Sequence, residues 1–289
     1  MTPTRPGPVL ITGCSSGIGA ATARLLADEG WTVYATARRT ETLADLAAAG
    51  CETLALDVTD EDSMVNAVNA VETAHVHVHA LVNNAGYGLH GPVETLAMDD
   101  VHRQFETNVF GLLRLTQLVL PGMRHSGAGR IVNLSSMGGR VTLPGGGAYH
   151  ASKYAVEALS DALRFEVSGF GIGVSLVEPG PVKTRFGDTA LATVEHDGTE
   201  HGDADNPYAD FEASLQANIE SAYEGPLARA ASSPEDVAKV IERAITSAHP
   251  KARYPVGLPA RSLVNMKRLL PDAALDLALH TQYKAPKQR

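Results

Sequence analysis

The sequence predicts an α/β fold: a single doubly wound parallel sheet of about seven strands with helices on both faces. Three observations lead there. Short β-branched runs alternate with helical stretches at the spacing of βαβ units. Several of those helical stretches stop at a glycine, as crossover helices do before the next strand. The chain has 289 residues, 44% hydrophobic and 20% charged, which excludes a disordered chain and supplies enough apolar surface for one large sheet. One domain over 1–289 is therefore expected.

Taken in order, residues 9–12 form the first strand and 18–29 the helix after it, which stops at Gly30. Residues 32–36 are the second strand, followed by a helix over 41–49 that ends at Gly50. Residues 53–56 are the third strand, and Asp60 offers a carboxylate to cap the helix that runs to Glu72. After the strand 80–82, apolar residues recur at helical spacing over 100–120, and Pro121 is expected to stop that helix. Strands over 130–134 and 174–177 bracket a second long helix, 149–165.

From Lys183 the pattern changes. The polar, acidic residues 195–205 read as a loop, and Tyr208, Phe211, Leu215 and Ile219 form the apolar stripe of an amphipathic helix. Ser233 with Pro234 in the first turn starts another helix, to about Ala248. A short strand over 253–256 and terminal helices follow, and the basic residues 284–289 read as a frayed tail. No internal repeat is visible.

Composition excludes several function classes. Against 24 Lys and Arg stand 33 Asp and Glu, a formal charge of −9, which opposes the basic footprint that nucleic acid demands. Cys14 and Cys51 are the two cysteines, too few for a disulfide framework, so a reducing compartment and a cytoplasmic protein are expected. The first apolar run is too short for a signal peptide, and no stretch approaches the roughly 20 apolar residues of a membrane span. Membrane insertion is not expected.

The turn between the first strand and helix reads Thr12-Gly13-Cys14-Ser15-Ser16-Gly17-Ile18-Gly19. Glycines there let the backbone approach a pyrophosphate, and the N–H groups of Gly13, Ser15, Ser16, Gly17, Ile18 and Gly19 surround the start of a helix, where anions are favoured. The spacing is G-x-x-x-G-x-G rather than G-x-G-x-x-G. A tight structural turn is the alternative, and the strand-loop-helix context favours the phosphate site. At the end of the second strand, where an acidic residue would bind a free ribose 2′-hydroxyl, the chain has Arg38 and Arg39. A guanidinium suits a 2′-phosphate by roughly ten- to hundredfold, so NADP (NADPH) is favoured over NAD, with Arg38 nearer the strand.

Tyr149 and Lys153 are four residues apart, hence on one helical face. A tyrosine titrates near pH 10, so acting as a base near neutrality calls for about 4 kcal/mol in favour of the phenolate. An ammonium at about 4 Å supplies that much at an effective dielectric of 20, and an oxidised nicotinamide adds to it. By itself Y-x-x-x-K is a frequent pattern of an aromatic packed beside a lysine.

Here the pattern has company. The loop 12–19, Asn83-Asn84-Ala85-Gly86, Asn108, Asn133-Leu134-Ser135-Ser136, Tyr149 with Lys153, and Pro179-Gly180-Pro181-Val182-Lys183-Thr184, in this order, resemble the short-chain dehydrogenase/reductase family. The likeness is strong over about 6–184, and the nearest resemblance is to hydroxysteroid and retinol dehydrogenase-like members. It implies a Rossmann-type sheet in the order 3-2-1-4-5-6-7 and a variable substrate lid over about 185–232. It implies that Ser136 holds the substrate oxygen, that Tyr149 is acid or base by direction, and that Lys153 also holds the nicotinamide ribose. Asn108 would organise a water-linked proton route behind Lys153. Asp57 and Val58 would lie around the adenine, Asn84, Ala85 and Gly86 beneath the ribose, and Pro179, Gly180, Val182 and Thr184 beside the carboxamide. A homo-dimer or homo-tetramer built from the long helices is a further expectation from the family.

The implied function is NADP(H)-dependent interconversion of an alcohol and its ketone or aldehyde, on a small-molecule substrate that the apolar stripe suggests is lipophilic. The alternatives are a non-catalytic NADP(H)-binding sensor and an oligomeric scaffold; Ser136, Tyr149 and Lys153 together favour the enzyme. His75, His77 and His79 alternate, but no carboxylate or thiol is arranged with them, so they read as a solvated start of a strand and no metal is expected. His150 points about 100° away from Tyr149 on the helix and is not taken as the base. No GxSxG or HExxH motif occurs, which removes the usual hydrolases.

Overall fold

The computed structural model describes residues 7–200, 206–223 and 230–285. Its centre is β1 (Val9–Ile11), wholly buried, as a parallel strand covered on both faces must be. On one side lie β2 (Val33–Ala37) and β3 (Glu52–Ala55); on the other β4 (Ala80–Asn83), β5 (Gly129–Leu134), β6 (Ile172–Pro179) and β7 (Arg253–Val256). All pairs are parallel, and the order is β3-β2-β1-β4-β5-β6-β7, the sequence expected.

The pleat sends alternate residues to opposite layers. Val9 and Ile11 join the core under α1 (Gly17–Asp28) and α9 (Pro234–Thr246), through Ala23, Leu26, Val237 and Ile241. Leu10, Leu81 and Ile131 face the other layer, where α3 (Glu61–Ala74) brings Met64, Val68 and Val71, and α5 (Gly111–Ser126) brings Leu115, Val119 and Met123. Asp60 caps α3 by accepting from the Ser63 N–H, and Ser233 and Asp236 form a reciprocal capping box on α9.

Three expectations need correction. The helix expected to stop at Pro121 begins as α4 (Met98–Phe105), passes through a π-helical turn over Glu106–Phe110, and continues as α5 through Pro121 to Gly127, which takes φ of 67°. Val119 and Met123, both wholly buried, hold the turn on either side of the proline, and the lost N–H costs a bond on the exposed side, at Gln117. The segment expected as a 41–49 helix is a 3₁₀ turn, Thr40–Leu43, and a short α2 (Ala44–Ala48).

The third concerns the stretch read as an acidic loop. Its first part lies in a helix, α7 (Phe186–Glu200), because Ala190 and Val194 recur at helical spacing and bury against Phe211, Leu215 and Ile219 of α8 (Ala209–Tyr223). The rest of that acidic run, 201–205, falls outside the described residues, as do 224–229 of the expected lid, the chain start before Gly7 and the last four residues of the basic tail. The chain continues into α10 (Leu258–Leu269) and α11 (Asp272–Gln282). Among the described residues, no helix is long and apolar enough to cross a membrane.

The remaining long helix, α6 (Gly147–Glu166), carries Tyr149 and Lys153 in its first two turns. The loop after β5, with a 3₁₀ turn at Met137–Gly139, carries Ser136 up to it.

Candidate active site

A cavity of about 1030 Å³ opens at the carboxyl ends of the strands, where the strand order reverses between β1 and β4. Most of the residues picked from sequence line it. One end holds Gly13, Ser15, Ser16, Gly17 and Ile18 of the first turn, Arg38 after β2, and Asp57 and Val58 after β3. Asn84, Ala85 and Gly86 after β4 also line it, as do Ser136, Tyr149, Lys153, Pro179, Gly180 and Val182, and Thr184 comes close to Gly17.

Three picked residues do not line it. Gly19 sits in the core of the turn, where a Cβ would lie 2.4 Å from the Gly13 carbonyl oxygen, so it is a packing glycine rather than a contact. Arg39 is exposed at the far side of the turn after β2, so Arg38 alone of the pair reaches the cavity. Asn108 is buried behind the wall, in the π-helical turn. Its Oδ1 accepts from the Tyr87 N–H at 3.1 Å, and its Nδ2 donates to the Tyr87 carbonyl at 2.9 Å and to Ser152 Oγ at 3.1 Å. Gly86 lets it come close: a Cβ there would lie 2.9 Å from Asn108 Oδ1 and 3.7 Å from Lys153 Nζ.

The first turn fits a dinucleotide. Gly13 and Gly17 take φ of 72° and 59°, conformations that L side chains rarely adopt. Helix α1 starts with no side-chain cap and no acidic residue in its first turn, which leaves its N-terminus favourable to an anion. Asn84 holds the turn in place by donating to the Thr12 and Gly13 carbonyls at 2.8 and 3.1 Å, while Thr12 Oγ1 accepts from the Asn84 and Ala85 N–H groups at 3.0 and 2.9 Å. Exposed Arg38 supplies a cation at the end where the ribose phosphate of NADP would sit. Asp57 is engaged in its own turn, its Oδ1 accepting from the N–H and hydroxyl of Thr59.

At the other end Ser136 Oγ accepts from the Gly138 N–H at 3.0 Å, which fixes its rotamer, beside the Tyr149 side chain. Lys153 Nζ donates to the Leu134 carbonyl at 2.8 Å and lies 5.9 Å from the Tyr149 ring centroid. The protein's own groups do not supply the expected lowering of the tyrosine pKa. Burial pushes Tyr149 up to about 12, against the lowering effect of Ser136. Burial likewise brings Lys153 down to about 8, with the Glu157 carboxylate opposing it. The ammonium donates to a backbone carbonyl, and desolvation is the largest influence on the phenol.

The sequence missed several wall residues. His90, from the loop after β4, and His150 press their rings against Tyr149 with centroids 5.7 and 5.5 Å away, and Phe186 adds a third ring at 5.5 Å. His150 lies beside the phenol because the turn at Gly138 and the loop at Gly146 fold over its side of the helix. Leu143, Leu215, Ile219, Tyr223 and Tyr283, from three separate segments, complete an apolar wall. No local signal marks them beyond the apolar stripe itself.

The alternating histidines are half-buried rather than solvated. His75 Nε2 meets the Tyr34 hydroxyl at 3.1 Å, His79 stacks near Trp31 with centroids 5.9 Å apart, and both ring nitrogens of His77 are enclosed without partners. Among the described residues no group of three or more His, Cys, Asp or Glu is placed to hold a metal ion.

Comparison with known proteins gives the same picture. The family model of the short chain dehydrogenases matches residues 8–195. Bovine retinol dehydrogenase 8 is 37% identical over 283 residues, covering 93% of this chain and 88% of that protein. Human 17-beta-hydroxysteroid dehydrogenase type 1 is 39% identical over 260 residues, covering 85% and 76%. Among solved structures, the closed form of a serine dehydrogenase complexed with NADP+ superposes with a TM-score of 0.74 at 27% identity, covering 86% of this chain and 94% of that one.

Proposed function

The chain belongs to the short-chain dehydrogenase/reductase family and is an oxidoreductase; on that premise we propose that it reduces lipophilic ketones or aldehydes to alcohols with NADPH, and catalyses the reverse oxidation. The observation that carries the reading is the convergence of Ser136, Tyr149 and Lys153 on the wall of one pocket. When bound, the cofactor supplies the hydride. The pyrophosphate would be held by residues 13–18, the 2′-phosphate by Arg38, the adenine by Asp57 and Val58, and the nicotinamide ribose by Lys153 and Asn84 to Gly86. Pro179, Gly180, Val182 and Thr184 would lie beside the carboxamide.

The chain's own part is to hold an oxygen and move a proton. Ser136 Oγ and the Tyr149 hydroxyl bind the carbonyl oxygen and stabilise the charge that develops on it. Tyr149 gives its proton to that oxygen in reduction and takes it back in oxidation. Lys153 and Asn108 line the route by which the proton is replaced: Lys153 Nζ stands 3.7 Å from the point where a Gly86 Cβ would sit, and Asn108 Oδ1 stands 2.9 Å from it.

The apolar wall formed by α7, α8 and Tyr283 supports a lipophilic substrate, with these helices as its cover within a single domain. Relatives named for retinol and a hydroxysteroid agree with that class. Exposed Phe110, Tyr154 and Phe165 along the long helices support a homo-dimer or homo-tetramer in a cytoplasmic protein. The test is single-turnover oxidation of NADPH and NADH over a panel of ketones and aldehydes. Tyr149→Phe should lower the rate by roughly 10² to 10⁴ while leaving NADPH binding intact. An unchanged rate with a confirmed substrate removes Tyr149 from its role.

A further inference from the structure

Tyr149 is flanked by two imidazoles that the reaction described above does not use. His150 follows it on α6, and its ring is held in a slot between two glycines. A Cβ at Gly138 would lie 2.3 Å from His150 Nδ1, and one at Gly146 would lie 2.5 Å from Nε2, so both positions have to be bare for the ring to fit. Nδ1 stands 3.0 Å from the Gly138 carbonyl oxygen. A carbonyl only accepts, so Nδ1 carries the hydrogen and, in the neutral ring, Nε2 presents a lone pair. Burial keeps the ring neutral by bringing its pKa down to about 4.

His90 stands across the Tyr149 ring, anchored by its backbone N–H donating to Thr193 Oγ1 of α7 at 3.1 Å. It too is neutral, with burial and His150 holding its pKa at about 4, and its Nδ1 is enclosed without a hydrogen-bond partner. Around the pair the wall is apolar, formed by Leu143 and Phe186. An acceptor in such a wall discriminates: a ligand that donates to it is favoured, and one that desolvates it without donating is penalised.

We propose that His150, backed by His90, is an acceptor subsite beside Tyr149, and that the preferred substrates are hydroxyketones whose hydroxyl is on a carbon next to the carbonyl. The inference rests on the ketone-reducing function proposed above and names a narrower substrate class for the same site. Ring centroids 5.5 Å apart put the Tyr149 ring and the His150 acceptor side by side on the wall of one cavity, so a hydroxyl on the carbon next to the carbonyl is the nearest donor that a substrate held by Tyr149 can offer. The rest of such a substrate can remain lipophilic along α7 and α8.

The test uses the full chain with NADPH and three matched substrates: a long-chain methyl ketone, the same ketone with a hydroxyl on its methyl carbon, and the methyl ether of that hydroxyketone. The hydroxyketone should be preferred by roughly tenfold in kcat/KM, and the ether, which cannot donate, should behave like the plain ketone. His150→Leu should bring the ratio of hydroxyketone to plain ketone towards one, and His150→Gln, whose side-chain oxygen reaches the Nε2 region, should restore part of it. Gly146→Ala should lower the same ratio by intruding on Nε2, and serves if the leucine variant does not fold. The ratio is internal to each variant, so a general loss of activity leaves it unmoved. Turnover of all three ketones at equal efficiency, or a preference that survives His150→Leu, overturns the subsite alone. No NADPH oxidation with any of the three overturns the parent function and the subsite together.

Discussion

Taking the protein from pH 8 to pH 5 should destabilise it through the two imidazoles packed on Tyr149. His90 and His150 are each brought from 6.5 down to about 4, chiefly by burial. Because the folded value lies below the unfolded one, the associated stability is fully present above about pH 6.5, is lost as the pH falls from there towards 4, and declines no further below that. At pH 5 an unfolded histidine is almost fully protonated while the buried ring is about one-tenth so. The difference is about 2 kcal/mol per ring, or about 4 kcal/mol for the pair. For a chain of this size that corresponds to roughly 8 °C in Tm.

The assay is urea unfolding at both pH values and fixed salt, followed by far-UV circular dichroism and by the fluorescence of the single tryptophan, Trp31. Wild type is compared with the double variant His90→Gln, His150→Gln. The pH-dependent loss is the quantity read, so any uniform cost of the substitutions cancels, and His77, His79 and the carboxylates titrate alike in both proteins. Equal losses in wild type and variant between pH 8 and 5 would refute the claim that these rings are buried neutral.

Other substitutions test separate parts of the structure. Arg38→Ala should weaken NADPH by roughly ten- to hundredfold while changing NADH little, read as Kd by fluorescence titration; equal weakening of both would remove the guanidinium from the 2′-phosphate. Gly111→Ala places a Cβ 2.1 Å from the Val58 carbonyl oxygen, a clash with backbone that no rotamer relieves, and should lower stability by about 1 to 3 kcal/mol in urea. Ser233→Ala removes one half of the capping box on α9 and should cost about 1 kcal/mol, visible as a shift of the urea midpoint at constant slope.

Much of the site could be read from local pattern. The turn 12–19 is legible because a glycine with positive φ between a strand and a helix has few other uses, and Tyr149 with Lys153 because a four-residue spacing puts two side chains on one face. The wrong readings arose where distant parts of the chain decide. Pro121 reads as a stop, yet Val119 and Met123 are buried in the core on either side of it. The stretch before the amphipathic helix reads as a polar loop, yet Ala190 and Val194 find their partners on α8.

The sequence by itself determined most of the strands and helices, because each depends on neighbours a few residues away, and its resemblance to a family supplied the order of the parallel sheet and the meeting of glycine turn and helix face at the strand ends. Only the tertiary structure decided that Gly19, Arg39 and Asn108 stand off the cavity, that His90 and His150 flank the phenol ring, and that burial pushes the Tyr149 pKa up. Proximity and desolvation are sums over every atom the fold brings near a group, and no spacing along the chain records them.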